Sequence, residues 1–173
     1  MQETVTLTTT LLNQTLRRLA EQYATVAQAV LGDNLTSVVL FGSVARGEAG
    51  LGSDIDLLVV CRELPKGAFR RQEVLEPVRE KLLADLERLW EQGCYTDFAE
   101  LIKTEAEAQK THLLYLDMTE EAVILFDRGG FFAAILARLR ERLRELGAQR
   151  RQLGSLRYWD LKPDFKPGEV VTL

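Results

Sequence analysis

The part of this chain that most constrains its fold is residues 38–60. The segment reads VVLFGSVARGEAGLGSDIDLLVV, so one apolar run ends at a Gly-Ser pair and a second begins with two aspartates separated by one residue. Apolar, β-branched runs bounded by glycine-rich turns are typical of strands. The pattern therefore predicts strands at about 36–41 and 54–61, joined by a tight turn, a short helix and a loop.

Helices are predicted around these strands, because apolar residues recur there at steps of three and four. The segments with this spacing are 11–31, 69–89, 106–115 and 131–146. Pro77 predicts a kink or a fresh helix start within the second of them. Short apolar runs predict two more strands, at 95–103 and 122–126. The order of elements predicts an α+β fold with a small mixed sheet of about four strands, helices mainly on one face, and flanking N- and C-terminal helices.

We expect a single domain over residues 1–173, since no linker or internal repeat divides the chain. Its core should span 35–127, with a C-terminal helix and an extended tail over 128–173. The tail sequence YWDLKPDFKPGEVV has two prolines and no helical period. It should lie extended on the surface, held by Tyr158 and Trp159.

Composition excludes several classes of function. Hydrophobic residues make up 46% of the chain and charged residues 28%, with a net charge of −4, which is typical of a globular protein and argues against bulk nucleic-acid binding. No apolar run approaches the ~18 residues of a membrane span, and the N-terminus does not resemble a signal peptide. Cys61 and Cys94 lack metal-site spacing, so we expect reduced thiols in a cytoplasmic protein. His112 is the single histidine, which argues against zinc sites and Ser-His catalysis and predicts a structural or exposed role for it.

Asp54 and Asp56 are the first candidate site residues. Residues i and i+2 of a strand project from the same face, roughly 6.5–7 Å apart, so these carboxylates should lie together while Ile55 turns into the core. Neighbouring carboxylates repel and raise each other's pKa, and a divalent metal removes that cost. Mg²⁺ favours a few carboxylates together with phosphate oxygens, and two such ions about 3.5–4 Å apart can clamp an in-line displacement.

The Gly42-Ser43 turn complements this pair. A glycine at a strand end lets backbone approach a ligand closely, and the following residues can open a helix whose free N–H groups face an anion. The Ser43 hydroxyl adds a donor, and Arg46 adds a positive charge one turn on. These residues predict a triphosphate-binding turn in a chain that lacks a Walker A motif.

Each half of the motif has an ordinary explanation, a strand-to-helix connection or a solvated strand edge, but their joint spacing is specific. Gly42-Ser43 and Asp54-Ile55-Asp56 form the pattern GS-x10-DxD. The 20 residues FGSVARGEAGLGSDIDLLVV resemble the signature of the DNA polymerase β-like nucleotidyltransferase superfamily, in particular its minimal nucleotidyltransferase branch. The resemblance implies a nucleotidyltransferase fold, an NTP, ATP being favoured, bound through the Gly-Ser turn, and Mg²⁺ held by the two aspartates.

The implied reaction transfers a nucleoside monophosphate, AMP being favoured, to an acceptor hydroxyl or phosphate and releases pyrophosphate. The family also uses a third carboxylate on a strand beside the DxD strand. Asp97 and Glu100 are the candidates, and because they lie three residues apart only one can face the metals. An acid early in the strand fits the family form better, which favours Asp97 and leaves Glu100 as the alternative.

The acceptor is expected to be a small molecule or a docked partner protein, because the chain has no obvious large second domain. A different class of function follows from the same resemblance: a binding partner of a helical HEPN-like protein in a toxin–antitoxin pair, which either blocks that protein or attaches AMP to it. Adenylylation of a drug is a third option. Uncovered apolar helix faces would also fit a homodimer.

Arginines concentrate in residues 137–151, expected as a helix. They are Arg138, Arg140, Arg142, Arg144, Arg150 and Arg151. One interpretation is docking of RNA or another polyanion. The favoured one is a solvated face with (i, i+3) ion pairs that involve Glu141 and Glu145.

Overall fold

The computed structural model describes residues 8–154, 156–166 and 168–173. Its helices are α1 (Thr9–Leu31), α2 (Gly42–Arg46), α3 (Ala68–Glu91), α4 (Glu105–Ala108), α5 (Leu114–Glu121) and α6 (Phe131–Glu145). Its strands are β1 (Leu35–Phe41), β2 (Ile55–Cys61), β3 (Phe98–Thr104), β4 (Val123–Asp127), β5 (Gln149–Leu153) and β6 (Leu156–Asp160).

Four of these strands form one mixed sheet in the order β3-β2-β1-β4. Strand β1 runs antiparallel to both of its neighbours, whereas β2 and β3 are parallel and are joined through α3. A parallel pair needs a long crossover connection, which the 24-residue α3 provides. The predicted α+β fold with a small mixed sheet is confirmed.

Helices cover both faces of the sheet. Ile55, Leu57 and Val59 of β2 are buried in the core beneath α1 and α3. Leu58 and Val60 are buried on the opposite face, beneath α5 and α6. The two longest helices share the first face, as expected of the main helical layer, and the second layer explains why β2 is apolar at nearly every position rather than at alternate ones.

Helix α1 follows its local signals. The Thr8 hydroxyl accepts a hydrogen bond from the Leu11 N–H at 3.3 Å, which caps one of the free donors of the first turn. Helix α3 continues through Pro77 as one helix, so the expectation of a fresh helix start there is wrong. Leu75 and Val78 on either side of the proline are both buried, and this packing keeps the two halves against the same sheet.

The predicted helix at 106–115 is also wrong, because the segment contains two separate helices. Thr104 and Glu107 form a capping box that starts α4, which ends at Ala108. The chain then turns at His112, whose carbonyl accepts the Tyr115 N–H at 2.8 Å and whose ring Nδ1 accepts the Leu114 N–H at 3.2 Å. Local capping thus divides a segment whose apolar spacing alone indicates a single helix.

The tail differs from expectation as well. Strands β5 and β6 pair antiparallel as a hairpin, in place of the expected end of a helix followed by an extended segment. Arg151 and Asp160 form an ion pair of 3.0 Å between its strands. Trp159 holds the hairpin on the body by donating from Nε1 to Asp117 Oδ1 at 3.0 Å, whereas Tyr158 is largely exposed.

Two further features bear on the environment of the chain. Cys61 and Cys94 are buried free thiols, and burial raises the pKa of Cys61 to about 11. Among the residues that the structure describes, no helix combines the length and the apolar composition needed to cross a bilayer.

Candidate functional site

Asp56 is the second residue of β2 and Asp54 immediately precedes the strand, so the two-residue period of a strand puts both on the same face as Leu58. Asp56 is half-buried and sits between Phe41 of β1 and Ala99 of β3. Burial raises the pKa of Asp56, the neighbouring Asp54 raises it further, and Arg46 offsets this in part. The ionised pair is therefore electrostatically unfavourable by itself and favours a cation.

Gly42 begins α2 directly after β1 and packs against Asp56. Its φ is +72°, and a Cβ built on it would lie 2.0 Å from Asp56 Oδ2. A side chain at position 42 is thus excluded both by the left-handed backbone conformation and by the carboxylate. This contact joins the Gly42-Ser43 turn to the aspartate strand, so the two halves of the sequence motif form one site.

Arg46 ends α2 and is held by two carboxylates. Its Nε donates to Glu48 at 2.8 Å and its Nη1 donates to Glu121 at 3.1 Å. Glu48 also accepts from Arg157 of the hairpin at 2.9 Å. Arg157 and Arg46 together hold the pKa of Glu48 at about 2. The predicted phosphate-binding arginine therefore belongs to an ion-pair network that reaches β6.

Asp97 lies beside Asp54, immediately before β3. The Asp97 N–H donates to Asp54 Oδ1 at 3.1 Å, and its carbonyl accepts the Ile55 N–H at 2.8 Å. Its carboxylate, however, bonds Arg79 of α3, with both oxygens 2.8 Å from Nη2. The backbone of Asp97 is thus part of the site, while its side chain is paired with an arginine.

Glu100 occupies the opposite face of the sheet, where it neighbours Leu57. It accepts hydrogen bonds from Tyr23 of α1 at 3.1 Å and from Arg79 at 2.6 Å, and its side chain is only 1% exposed. Burial raises the pKa of Glu100, although Arg79 and Tyr23 oppose that shift. The structure therefore does not bring Glu100 together with Asp54.

A metal site of three converging ligands is not assembled. Within residues 8–154, 156–166 and 168–173, no group of three His, Cys, Asp or Glu side chains could hold an ion. Asp54 and Asp56 provide two oxygen ligands on one face, which suits a divalent cation that takes its remaining ligands from water and phosphate.

A cleft of about 710 Å³ opens beside Asp56. Its lining includes Ala99 and Leu101 of β3, Arg79 of α3, and His112. Ala99 is the residue of β3 in register with Asp56, so a small side chain leaves space next to the carboxylate. His112 is exposed, in agreement with a structural or exposed role.

Arg79 is the site residue that sequence reasoning missed. It lies next to Val78 and one turn from Leu75 and Leu82, all buried residues of α3. A long basic side chain at the border of an apolar helix face is a weak signal that its charge is needed near the core. That signal does not say which carboxylate the arginine meets.

The arginine-rich segment 137–151 is not one helix, because α6 ends at Glu145 and Arg150 and Arg151 lie in β5. Arg142 pairs with Glu145 at 3.0 Å, and Arg144 pairs with Glu141. These (i, i+3) ion pairs agree with the favoured interpretation of the segment, a solvated face with ion pairs to Glu141 and Glu145. Arg150 pairs with Glu121 and so extends the network around Arg46.

A mixed sheet that places a Gly-Ser turn against a strand with paired aspartates defines the class: this is the nucleotidyltransferase fold. The nucleotidyltransferase domain family matches residues 23–125, which is more than half of the chain. The chain belongs to that family.

Two curated relatives come from Methanocaldococcus jannaschii, and both are named as candidate protein adenylyltransferases. The first is 40% identical over 63 residues, which are 36% of this chain and 43% of the relative. The second is 47% identical over 36 residues, 21% of this chain and 36% of the relative. The chain matches less than half the length of either relative.

Solved structures with a similar arrangement are remote in sequence. A toxin–antitoxin structure with AMP-PNP is 18% identical over 71% of this chain and 91% of its own, with a TM-score of 0.43. A mutant MntA-HpeT toxin–antitoxin structure is 14% identical over 74% of this chain and 92% of its own, with a TM-score of 0.47. Likeness at this level carries no weight for function.

Proposed function

We propose that this protein is a Mg²⁺-dependent nucleotidyltransferase that transfers AMP from ATP to an acceptor, either a small molecule or a partner protein. The observation that carries the proposal is the close approach of Gly42 to Asp56, the second aspartate of the Asp54–Asp56 pair. It places a turn able to approach phosphate beside two carboxylates that favour a cation. Membership of the nucleotidyltransferase family supports the same reaction class.

Asp54 and Asp56 would hold Mg²⁺, because both project from one face of β2 and carboxylate oxygens are ligands that this ion prefers. When bound, Mg²⁺ supplies charge neutralisation at the phosphate oxygens. The protein supplies position: the start of β2 is fixed between β1 and β3, so the carboxylates stay in place as the nucleotide binds. Positioning and electrostatics account for most of the rate in phosphoryl-type transfer.

Gly42, Ser43 and Arg46 would bind the triphosphate. The Gly42 backbone can approach phosphate without a Cβ, and the Ser43 hydroxyl can donate to it. Arg46 must first exchange Glu48 and Glu121 for phosphate oxygens. That exchange is inexpensive because Glu48 is about half-exposed and still pairs with Arg157, while Glu121, although only 11% exposed, keeps its ion pair with Arg150.

Asp97 is the proposed third carboxylate, since its backbone already contacts Asp54 and half of its side chain is open to solvent. Once its carboxylate faces the pair, it could complete the metal site or accept the proton of the acceptor hydroxyl. Glu100, on the other face, does not take this role in the proposal.

The names of the two archaeal relatives support a protein as the acceptor. A protein hydroxyl would attack the α-phosphorus of ATP, form a P–O bond and release pyrophosphate, while its proton passes to a carboxylate or to water. The open cleft beside Asp56 can admit a projecting side chain of a partner.

A second candidate is a binding module that masks a helical partner without modifying it. The ion pair of Asp97 with Arg79 favours this alternative, because it leaves two carboxylates rather than three at the site. Co-expression with a candidate partner, followed by intact-mass measurement, separates the two. A partner that carries added AMP supports transfer, and a tight but unmodified complex supports masking.

Isothermal titration calorimetry with AMP-PNP in Mg²⁺ tests the proposed site. The Asp54→Asn/Asp56→Asn variant should lose measurable binding. The control Asp33→Asn/Asp85→Asn removes the same charge at two positions that pair with other arginines and should bind like the wild type. Equal affinity in the wild type and in the site variant would overturn the metal assignment.

A further inference from the structure

Arg79 binds three different acceptors around the start of β3. It donates to both oxygens of Asp97 at 2.8 Å, to Glu100 at 2.6 Å and to the Phe98 carbonyl at 2.9 Å. A guanidinium that binds two carboxylates at these distances provides the charge neutralisation that a cation would otherwise supply.

We propose that Arg79 is the positioning residue of Asp97: it holds the third carboxylate in reserve in the metal-free protein and releases it when a divalent ion binds at Asp54 and Asp56. The inference rests on the proposed function and deepens it. Asp97 then has two alternative partners, Arg79 or the metal, and the arginine competes with the ion for it.

Arg79 is the partner that stays in place. Glu100 is nearly inaccessible at 1% exposure, and Arg79 is 24% exposed. Withdrawal of the arginine would leave Glu100 as an unpaired buried charge, which is strongly unfavourable. The Tyr23 hydroxyl on the other side of Glu100 fixes that carboxylate further.

Asp97 is the partner that can move. Its side chain is 50% exposed, so water replaces the bonds it loses. Its N–H already donates a hydrogen bond to Asp54 Oδ1. Phe98 is the register partner of Ile55, so the residues before them, Asp97 and Asp54, lie side by side. Rotation about the Asp97 side-chain bonds would turn its carboxylate toward the pair, with loss of its bonds to Arg79 and to the Phe98 N–H.

The charges in the cluster make the exchange favourable once an ion is present. Arg79 with Asp97 and Glu100 combines one positive with two negative charges. When Asp97 leaves, Arg79 and Glu100 remain as a neutral buried pair, and the released negative charge meets the cation. The Arg79–Glu100 pair itself is thus neutral in both states.

Mn²⁺ binding measured by electron paramagnetic resonance tests this competition without turnover. The variant Arg79→Met/Glu100→Gln removes one charge of each sign and keeps an acceptor for Tyr23. Because the Asp97–Arg79 pair is half-exposed and of modest strength, its loss should tighten Mn²⁺ binding about three- to fivefold. A residue with a purely structural role would not raise metal affinity when removed.

The Asp97→Asn change provides the decisive control. In the Arg79→Met/Glu100→Gln background it should abolish the gain in affinity. Unchanged or weaker Mn²⁺ binding in the double variant, or a gain that persists without Asp97, would overturn the inference. If the double variant does not fold, Arg79→Lys replaces it: the ammonium keeps the charge but lacks the planar fork, so a gain of about twofold is expected, and no gain contradicts the inference.

Failure of the proposed function has a separate signature. If Asp54→Asn/Asp56→Asn binds Mn²⁺ as tightly as the wild type, the metal site itself is wrong. If that variant loses the ion while the Arg79 variants bind like the wild type, the site stands and only the role of Arg79 is refuted.

Discussion

Two arginines pair with carboxylates at opposite ends of the site, and their surroundings differ. Arg79 joins Asp97 to Glu100, and Glu100 is almost fully buried. Arg46 joins Glu48 to Glu121 in a network whose Glu48 and Arg157 are each more than two-fifths exposed. Both hold a proposed site residue in an ion pair. Glu121 is also largely buried, with 11% of its side chain exposed, but it pairs with Arg150 as well as with Arg46, whereas Glu100 is 1% exposed and pairs with Arg79.

The difference indicates which bonds can change during function. When Arg46 leaves, water can replace it at Glu48 and Arg150 stays paired with Glu121, so Arg46 can exchange carboxylates for phosphate at little cost. In the buried cluster the bond between Arg79 and Glu100 must persist, and only the exposed arm to Asp97 can open. The bond from Arg79 to Glu100 therefore stabilises the fold, whereas the bond from Arg79 to Asp97 is the one that can open during function.

The substitution Arg79→Ala should have the largest effect, a loss of stability. The change leaves Glu100 buried without its cation, so we expect the free energy of unfolding to fall by about 3 kcal/mol, measured by urea denaturation. Arg88→Ala on the same helix removes an exposed pair with Asp85 and should cost no more than about 0.5 kcal/mol. Equal losses of stability in the two variants would contradict the claim that Arg79 stabilises a buried charge.

Gly42→Ala should rank next. The new Cβ would meet Asp56 Oδ2 and would adopt a left-handed conformation, and together these should cost about 2 kcal/mol and abolish AMP-PNP binding. Gly47→Ala is the matched control, because its φ is +71° and nothing lies within 4 Å of the new Cβ. It should cost about 1 kcal/mol and leave binding intact; loss of binding there would show that backbone strain, not the contact with Asp56, is responsible.

Arg46→Gln should separate binding from stability. Because Glu121 keeps Arg150 and Glu48 keeps Arg157 as partners, the free energy of unfolding should change little, whereas affinity for AMP-PNP should fall about tenfold through loss of a charge-assisted bond. Calorimetry and denaturation measure the two quantities. Arg151→Gln, which loses a pair with Asp160 within the hairpin, should leave affinity unchanged, and the same loss of affinity in both variants would exclude a specific role for Arg46.

The smallest expected effect is the pH dependence of the exposed network. The pKa of Glu48 is lowered from 4.5 to about 2 in the folded protein, so its ion pairs stabilise the fold above the unfolded pKa and are lost as pH falls through the folded one. The difference in Tm between the wild type and Glu48→Gln should therefore shrink from about pH 4.5 to about pH 2. A difference that stays constant over this window would contradict the assignment.

Much of the fold was predictable because the relevant signals are local. The steps of three and four in α1 and the apolar runs of β1 and β2 were sufficient to predict those elements. The spacing of the Gly-Ser turn and the aspartates predicted that they form one site, since a two-residue period places Asp54 and Asp56 on one face. The hairpin β5–β6 was missed, because strands such as QRRQL are polar and carry no apolar alternation.

The orientation of the third acid could not be predicted locally. The three-residue spacing of Asp97 and Glu100 puts them on opposite faces, but which of them lies on the side of Asp54 depends on the register of β3 on β2, in which Phe98 aligns with Ile55. The partner of both acids, Arg79, comes from a helix about twenty residues earlier in the chain. No short-range pattern contains that contact, because it depends on how α3 packs across the sheet.

Diffraction from crystals soaked with Mn²⁺ and AMP-PNP tests the central claim most directly, because the anomalous signal locates the ion itself. We expect an ion bound by Asp54 and Asp56, with phosphate oxygens facing the Gly42-Ser43 turn and the Asp97 carboxylate turned from Arg79 toward the metal. Ordered AMP-PNP with no ion at Asp54 and Asp56, or an ion bound by other residues, would contradict it.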